Sequence, residues 1–206
     1  MKTVIRYLAD QPVIFNALRR LIEANYASLT KVIRKEFSLD LNRVKLTPKE
    51  KILDIPCGTG EFCTLFSPDC YQGLDISKKY IDYARNKYKR KFLCSDARHS
   101  GFSDEYFDKI LMLGFLHHLD DSTVEFVLKE AKRILKPDGV LLLIEDAPVS
   151  VPWNIIGKVL QKYDIGNNIR PASSYRMILE KDFQIRRYYN IKSGFWEYSV
   201  FVMRSK

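Results

Sequence analysis

The sequence is poor in the features that would tie it to a metal, a disulfide scaffold or a membrane span. Its four cysteines, Cys57, Cys63, Cys70 and Cys94, form no C-x-x-C pair. That argues against a zinc site and for free thiols in a reducing cytoplasm. No metal site is expected. The strongest apolar run, Val140 to Ile144, is far shorter than the ~20 residues that cross a bilayer. Arg6 and Asp10 interrupt what would be the apolar part of a secretion signal, so none is expected. No internal repeat and no low-complexity tract is present, and nothing in the pattern reports the oligomeric state.

What the chain does have is core material. With 206 residues, 46% hydrophobic and 29% charged, it can fill one α/β domain without metals or disulfides. The net charge of +9 is unevenly spread. Residues 1–49 hold 10 Lys/Arg against 4 Asp/Glu, and residues 151–206 again hold 10 against 4. The middle, 50–150, holds 14 against 17. The basic excess therefore lies in the flanks. It is either solvated helix surface or a frame for an anionic substrate.

The centre of the chain is Lys51-Ile-Leu-Asp54-Ile-Pro56-Cys-Gly58-Thr-Gly60-Glu-Phe62. An apolar run reads as a buried strand, a glycine turn follows, and a helix is expected from Glu61, over about 61–66. Strand, glycine turn and helix together bring backbone N–H groups to a ligand. Asp54 is expected as an acceptor at the mouth of the turn. In the G-x-G-x-x-G dinucleotide frame the third glycine place is Cys63, which weakens a nicotinamide reading.

The rest alternates. Asp10-Gln-Pro12 predicts a helix start, with one long helix or two in tandem over about 11–37 and Asn25-Tyr26 in the middle. Residues 38–49 read as a loop. Tyr71 to Asp75 reads as a strand ending in an acid, and Ser77 as the cap of a helix with Tyr80, Ile81 and Ala84 inward and a lysine-rich outer face. Lys91 to Ala97 is a third strand ending in Ser-Asp96-Ala97. Residues 109–113 are a fourth, left at Gly114. Asp121 or Ser122 is expected to cap the next helix, with Pro137-Asp138-Gly139 stopping it. Val140 to Ile144 is a fifth strand, closed by Glu145-Asp146. Trp153, Ile156, Val159, Leu160 and Tyr163 are expected on one helix face, and Arg170-Pro171 opens another helix. Phe183 onward gives two alternating strands around Ser193-Gly194, an antiparallel hairpin.

The ordered motifs of about 50–146 resemble the class I S-adenosylmethionine-dependent methyltransferases, especially small bacterial members of unassigned substrate. Pro56 stands where that family usually has glycine. The resemblance implies an α/β fold: a doubly wound, mostly parallel, Rossmann-like seven-stranded sheet with an antiparallel C-terminal hairpin and an N-terminal helical cap. It divides the single domain into a cap (1–49), a cofactor-binding core (50–146), a substrate-side insertion (147–182) and the hairpin (183–206). It implies S-adenosyl-L-methionine as cofactor, held by Asp54, Pro56, Gly58 and Gly60, with Asp75 on the ribose and Ile76 beside it. Asp96 and Ala97 would meet the adenine, and Leu113 and Gly114 would edge the cleft.

Methyl transfer from a sulfonium is a direct displacement that needs alignment. A base helps when the acceptor arrives protonated, and His117 and His118 are the candidates. The expected acceptor is a small molecule or lipid intermediate. A nucleic-acid acceptor is disfavoured, because Gly114-Phe-Leu-His stands where amino-methylating nucleic-acid enzymes carry an Asp/Asn-Pro-Pro-Tyr/Phe motif. A non-catalytic cofactor binder is the third reading.

Overall fold

A computed structural model describes residues 11–38, 50–163 and 166–206. The chain lays down two tandem helices, α1 (Pro12–Ile22) and α2 (Ala27–Glu36), then β1 (Ile52–Asp54), β2 (Tyr71–Asp75), α3 (Lys78–Lys87), β3 (Lys91–Cys94) and β4 (Phe107–Leu113). There follow α4 (Asp121–Ile134), β5 (Leu135–Asp146), α5 (Ile155–Tyr163), α6 (Ala172–Leu179), β6 (Phe183–Ser193) and β7 (Trp196–Ser205). The seven strands form one sheet in the order β3-β2-β1-β4-β5-β7-β6. The first five run parallel, while β7 pairs antiparallel with both β5 and β6. Strand order reverses between β1 and β4, so a crevice opens at their C-terminal ends.

Alternation along the strands builds two apolar layers. Ile52, Leu111, Leu142 and Ile144 pack with Leu29 and Ile33 of α2 and with Ile81 of α3. Leu53, Ile110, Leu141 and Leu143 point the other way, onto Val124, Val127 and Leu128 of α4 and Tyr175 of α6. A parallel strand covered on both faces reads as a continuous apolar run, which is why β1, β4 and β5 stand out in the sequence.

Several local expectations change. The helix expected over about 61–66 is a single 3-10 turn, Cys63–Leu65. Phe66 is already extended, and Pro68 bars the helical conformation from Ser67. The cap of α4 is Asp120, whose Oδ1 accepts from Thr123 N at 2.8 Å, rather than Asp121 or Ser122. That helix ends at Ile134, before Pro137. Leu135 is already extended and pairs with Phe107, since proline at 137 clashes with a helical carbonyl four residues back. Trp153 precedes α5, and Trp153, Ile156 and Val159 are exposed; Gly157 is the buried residue of that helix. The proposed cap Asp10 and residues 39–49 lie outside the described residues. Gln11 precedes α1 without a side-chain cap.

Helices α1 and α2 are joined through a 3-10 turn in which Ala24, Asn25 and Tyr26 all have positive φ, +48°, +55° and +59°. For residues with a Cβ this conformation costs roughly 1–2 kcal/mol each.

The loop before β4 is fastened to α4 by Glu130. Its Oε1 accepts from Ser100 N (2.9 Å) and Ser100 Oγ (2.6 Å), and Arg133 donates to both its oxygens at 2.8 Å. Burial would raise this carboxyl; the bonds from Arg133 and Ser100 outweigh it and hold it at about 2. The stabilisation is thus present above the unfolded value near 4.5 and is lost as pH falls through the folded one. Replacing Glu130→Gln should lower unfolding free energy by about 1.5–3 kcal/mol at neutral pH. Urea titrations should show the gap closing between about pH 4.5 and 2. A gap constant down to pH 2 would refute this account.

Candidate active site at the strand ends

The glycine turn leaves β1 at its C-terminal end. Gly58 (φ +53°) and Gly60 (φ +79°) occupy backbone conformations that residues with a Cβ rarely adopt. A Cβ built on Gly58 meets no heavy atom within 4 Å, so the main chain there is open to a ligand. Gly60 is different: a Cβ would strike the Phe92 ring at 2.9 Å, so this glycine serves packing. Pro56 follows a cis peptide bond with Ile55.

Asp75 closes the turn against β2. Its Oδ2 accepts from Gly58 N and its Oδ1 from Ser77 N, both at 2.8 Å. Burial pushes this carboxyl up, and the N–H groups of Ser77 and Gly58 pull against the shift. An ionised carboxylate has about four acceptor positions, so this one keeps capacity for hydroxyl donors. Beside it Ile76 is 71% exposed, an apolar side chain with no cover where a flat nucleobase or sugar edge would lie. An open glycine backbone, a carboxylate with acceptors to spare and an exposed apolar neighbour together fit an adenosyl group.

The other predicted residues are dispersed around this turn. Asp54, expected at its mouth, is instead buried beneath it and accepts from the Tyr71 hydroxyl at 2.8 Å. Its oxygens face the core because β1 is covered on both faces. Asp96 is gripped by Arg98, through Arg98 N at 2.8 Å and Nη2 at 2.6 Å, while Ala97 packs against the apolar layer under α4. Leu113 and Gly114 end β4, half-buried.

His117 and His118 differ sharply. They occupy a 3-10 turn, Leu116–His118, with His117 buried and His118 exposed, their ring centroids 4.0 Å apart. His117 Nδ1 lies 3.1 Å from Glu145 Oε2, and Nε2 lies 3.8 Å from Asp146 Oδ2. Glu145 also accepts from Phe115 N (2.8 Å), Leu116 N (2.6 Å) and the Tyr175 hydroxyl (3.4 Å). Burial alone would raise the Glu145 carboxyl; His117 and the two amides hold it below its ordinary value. An ionised carboxylate only accepts, so Nδ1 carries the proton and Nε2 keeps a lone pair in neutral His117. From the opposite side Arg170 donates to Leu116 O and Leu119 O, each at 2.8 Å, and Asn168 N donates to His117 O at 2.9 Å.

Glu145, Asp146 and Arg170 were missed as site residues by sequence reasoning. The acidic pair closing β5 was visible as a strand terminus, but a strand-end acid is ambiguous until its partner is known. Arg170 read only as a helix start.

Helix α1 forms a roof over these groups. Asn16 donates to Glu61 Oε1 (3.1 Å) and accepts from Thr59 Oγ1 (2.6 Å); Arg20 donates to Glu61 Oε2 through Nε (2.9 Å) and Nη2 (2.5 Å). Further along, Arg19 pairs with Glu23 and donates to the Tyr198 hydroxyl at 3.3 Å, while Ile22 O accepts from Phe195 N at 3.2 Å. The roof thus spans from the glycine turn to the start of β7.

Burial, with the neighbouring charge of Asp75 and against the Tyr71 bond, lifts the Asp54 carboxyl to about 7 from an ordinary 3.8. Between those values the folded chain holds a proton that the unfolded chain has released, so this group's contribution weakens as pH rises. Asp54→Asn keeps an acceptor for Tyr71 and does not titrate. Its thermal midpoint should gain on that of the wild type from about pH 4 to 7. Two midpoints that stay parallel over that range would contradict the shift.

A methyltransferase-domain family profile matches residues 53–143. The probable tRNA methyltransferase 9B of Homo sapiens is 32% identical over 119 residues, covering 52% of this chain and 26% of the human protein. The chain therefore spans only about a quarter of that relative's length. The ubiquinone/menaquinone biosynthesis C-methyltransferase UbiE of Haemophilus ducreyi is 26% identical over 197 residues, covering 79% of this chain and 74% of its own. Among solved structures, the magnesium protoporphyrin IX methyltransferase of Synechocystis, with bound S-adenosylhomocysteine, superposes with a TM-score of 0.70 at 17% identity. It covers 100% of this chain and 99% of its own. At that identity the likeness is one of fold. In the matched segment, the glycine turn and the order of the sheet, the chain resembles the class I S-adenosylmethionine-dependent methyltransferases.

Proposed function

We propose that the chain transfers the methyl group of S-adenosylmethionine to a small-molecule acceptor, with His117 receiving the acceptor's proton. The observation that carries the reading is the buried His117–Glu145 pair, which lies just beyond β4, the strand that neighbours β1 and its glycine turn. The cofactor supplies a methyl group already activated on a sulfonium. Gly58 gives backbone access, Asp75 accepts from ribose hydroxyls, and Ile76 and Ala97 offer apolar surface to the base. Pro56, Gly60, Leu113 and Gly114 shape the cleft, and Asp54 and Asp96 support it from behind and beside.

His117 is the better base of the two histidines. Its tautomer is set by Glu145, and an imidazolium formed there would stand between Glu145 and Asp146. His118 is exposed, where water screens a charge gained on its ring. A Cβ built on Gly114 has His117 Cε1 as its nearest neighbour at 3.8 Å, so that edge of the ring lies against Gly114, while Gly166 packs against Cδ2 and Nε2.

A small acceptor is favoured over a polynucleotide because much of the basic face of α3 is engaged internally. Lys78 pairs with Asp82 (2.6 Å), Lys87 with Glu61 (3.1 Å), and Arg85 donates to Phe92 O (2.7 Å). The roof over the strand ends also suits a compact substrate. The relative that acts in quinone biosynthesis supports a phenolic or enolisable acceptor, for which a base is useful. The tRNA methyltransferase relatives support RNA as the second reading.

Calorimetry with S-adenosylhomocysteine should give a complex that Asp75→Asn weakens about 10- to 100-fold, the loss expected for hydrogen bonds to a charged group. In single-turnover assays over a panel of phenols, quinols and bulk tRNA, His117→Ala should lose about 10²–10⁴ in rate with cofactor affinity kept. His118→Ala should lose far less. Unchanged rates in the His117 variant would remove the base from the mechanism, and methyl acceptance by tRNA alone would replace the small-molecule reading.

A further inference from the structure

Helix α1 is built inside out. Its inner face carries Asn16 and Arg19, hydrogen-bonded to the body of the protein, and Phe15, stacked on Tyr80, while Arg20 reaches Glu61 from the edge. Its outer face carries Val13, Ile14, Leu18 and Leu21, all exposed, the last at 78%. At 100° per residue those four side chains share one stripe. A surface helix ordinarily turns such a stripe inward.

Helix α5 repeats the pattern. Ile155 (68% exposed), Ile156 and Val159 face outward, and Trp153 just before the helix is 81% exposed. The two helices are joined at the β6–β7 turn. Phe195 N donates to Ile22 O at 3.2 Å, and Phe195 O accepts from Asn154 Nδ2 at 2.9 Å. Phe195 is itself exposed. Leu21, Phe195, Trp153 and Ile155 therefore belong to one apolar rim along the roof and the insertion.

Among the described residues, the charges within these two helices have one sign. Neither α1 nor α5 contains an Asp or Glu, whereas α1 has Arg19 and Arg20 and α5 has Lys158 and Lys162. Lys158, Lys162 and Lys192 are exposed. Apolar stripes on acid-free helices, flanked by lysines and tipped by tryptophan, match a surface that is greasy within and anionic outside.

We propose that this rim adsorbs to an anionic phospholipid membrane, with Leu21, Trp153, Ile155 and Phe195 entering the headgroup region and the lysines meeting lipid phosphates. Adsorption needs no cofactor and stands apart from the reaction proposed above. Only its corollary rests on that reading: an acceptor dissolved in the bilayer would reach the cleft beneath α1 without crossing water.

Vesicle sedimentation tests the proposal with the full chain. Vesicles containing phosphatidylglycerol should bind the protein at least about tenfold more tightly than pure phosphatidylcholine. The double variant Leu21→Glu, Ile155→Glu should lose about tenfold or more on the anionic vesicles. Both positions are exposed, so its thermal midpoint and its affinity for S-adenosylhomocysteine should match wild type. Lys158→Ala and Lys162→Ala should each weaken binding about fivefold and reduce its salt dependence. Three outcomes overturn the proposal: no sedimentation with anionic vesicles, equal sedimentation of wild type and the Glu variant, or a lipid-free dimer abolished by Leu21→Glu. The last would make a second copy the occupant of the rim.

Discussion

The C-terminal end of the parallel strands depends on one buried carboxylate. Glu145 has no access to water, and an ion without water or partners costs several kcal/mol even in a relaxed protein. It is tolerable because four groups donate to it: two backbone amides, an imidazole and a phenol. Those donors are not adjacent in sequence, so the charge draws the 115–117 segment, the end of β5 and α6 to a single point. The orientation of His117 is a consequence. Remove the charge and the two amides lose an acceptor in a place where water cannot replace it. Arg170 completes the restraint by taking carbonyls of the same segment, so the histidine turn is held through both its donors and its acceptors.

The two acids at the ends of β1 and β2 show the same rule with opposite results. Asp54 and Asp75 are both buried, and burial pushes both carboxyls up. Asp75 gains backbone N–H donors, which favour its anion. Asp54 has the Tyr71 hydroxyl and the unfavourable charge of its neighbour. Negative charge is therefore better supported at Asp75, beside the open glycine turn, than at Asp54 underneath it. The amides of Gly58 and Ser77 thus hold the Asp75 carboxylate against the base of the glycine turn.

Much of this was legible in the sequence because it follows from backbone needs. A strand covered on both faces must be continuously apolar, a parallel neighbour needs a crossover, and a positive φ favours glycine. Those requirements made β1, β4, β5, the Gly58 turn and the final hairpin readable. What escaped depends on partners distant in the chain. Glu145 meets Phe115 and His117 across nearly thirty residues, and Arg170 meets Leu116 across 54. No local pattern distinguishes such residues from ordinary strand-end acids or helix-start cations. The short helix over 61–66 failed for a different reason. The extended bias before Pro68 outweighed the propensity of six residues. Trp153 and its neighbours misled through an assumption: helical apolar spacing identifies a face but not the direction in which it points.

That assumption also bears on how firmly the roof is held. A helix docked by apolar side chains gains roughly 1.5–3 kcal/mol for each one fully buried. Helix α1 leaves most of its apolar side chains outside and is docked by hydrogen bonds and ion pairs, with Phe15 stacked on Tyr80 as its main apolar contact. These exchange with water, so each contributes only about 0.5–1.5 kcal/mol net. Against them stand three successive left-handed residues, Ala24 to Tyr26, at roughly 1–2 kcal/mol apiece. The balance leaves the roof far less secure than the sheet beneath it, where β1, β4 and β5 are buried on both faces. Local opening concentrates where apolar burial is thin. The part of the chain that covers the crevice is therefore held less firmly than the sheet, and the three residues of positive φ stand at its C-terminal end.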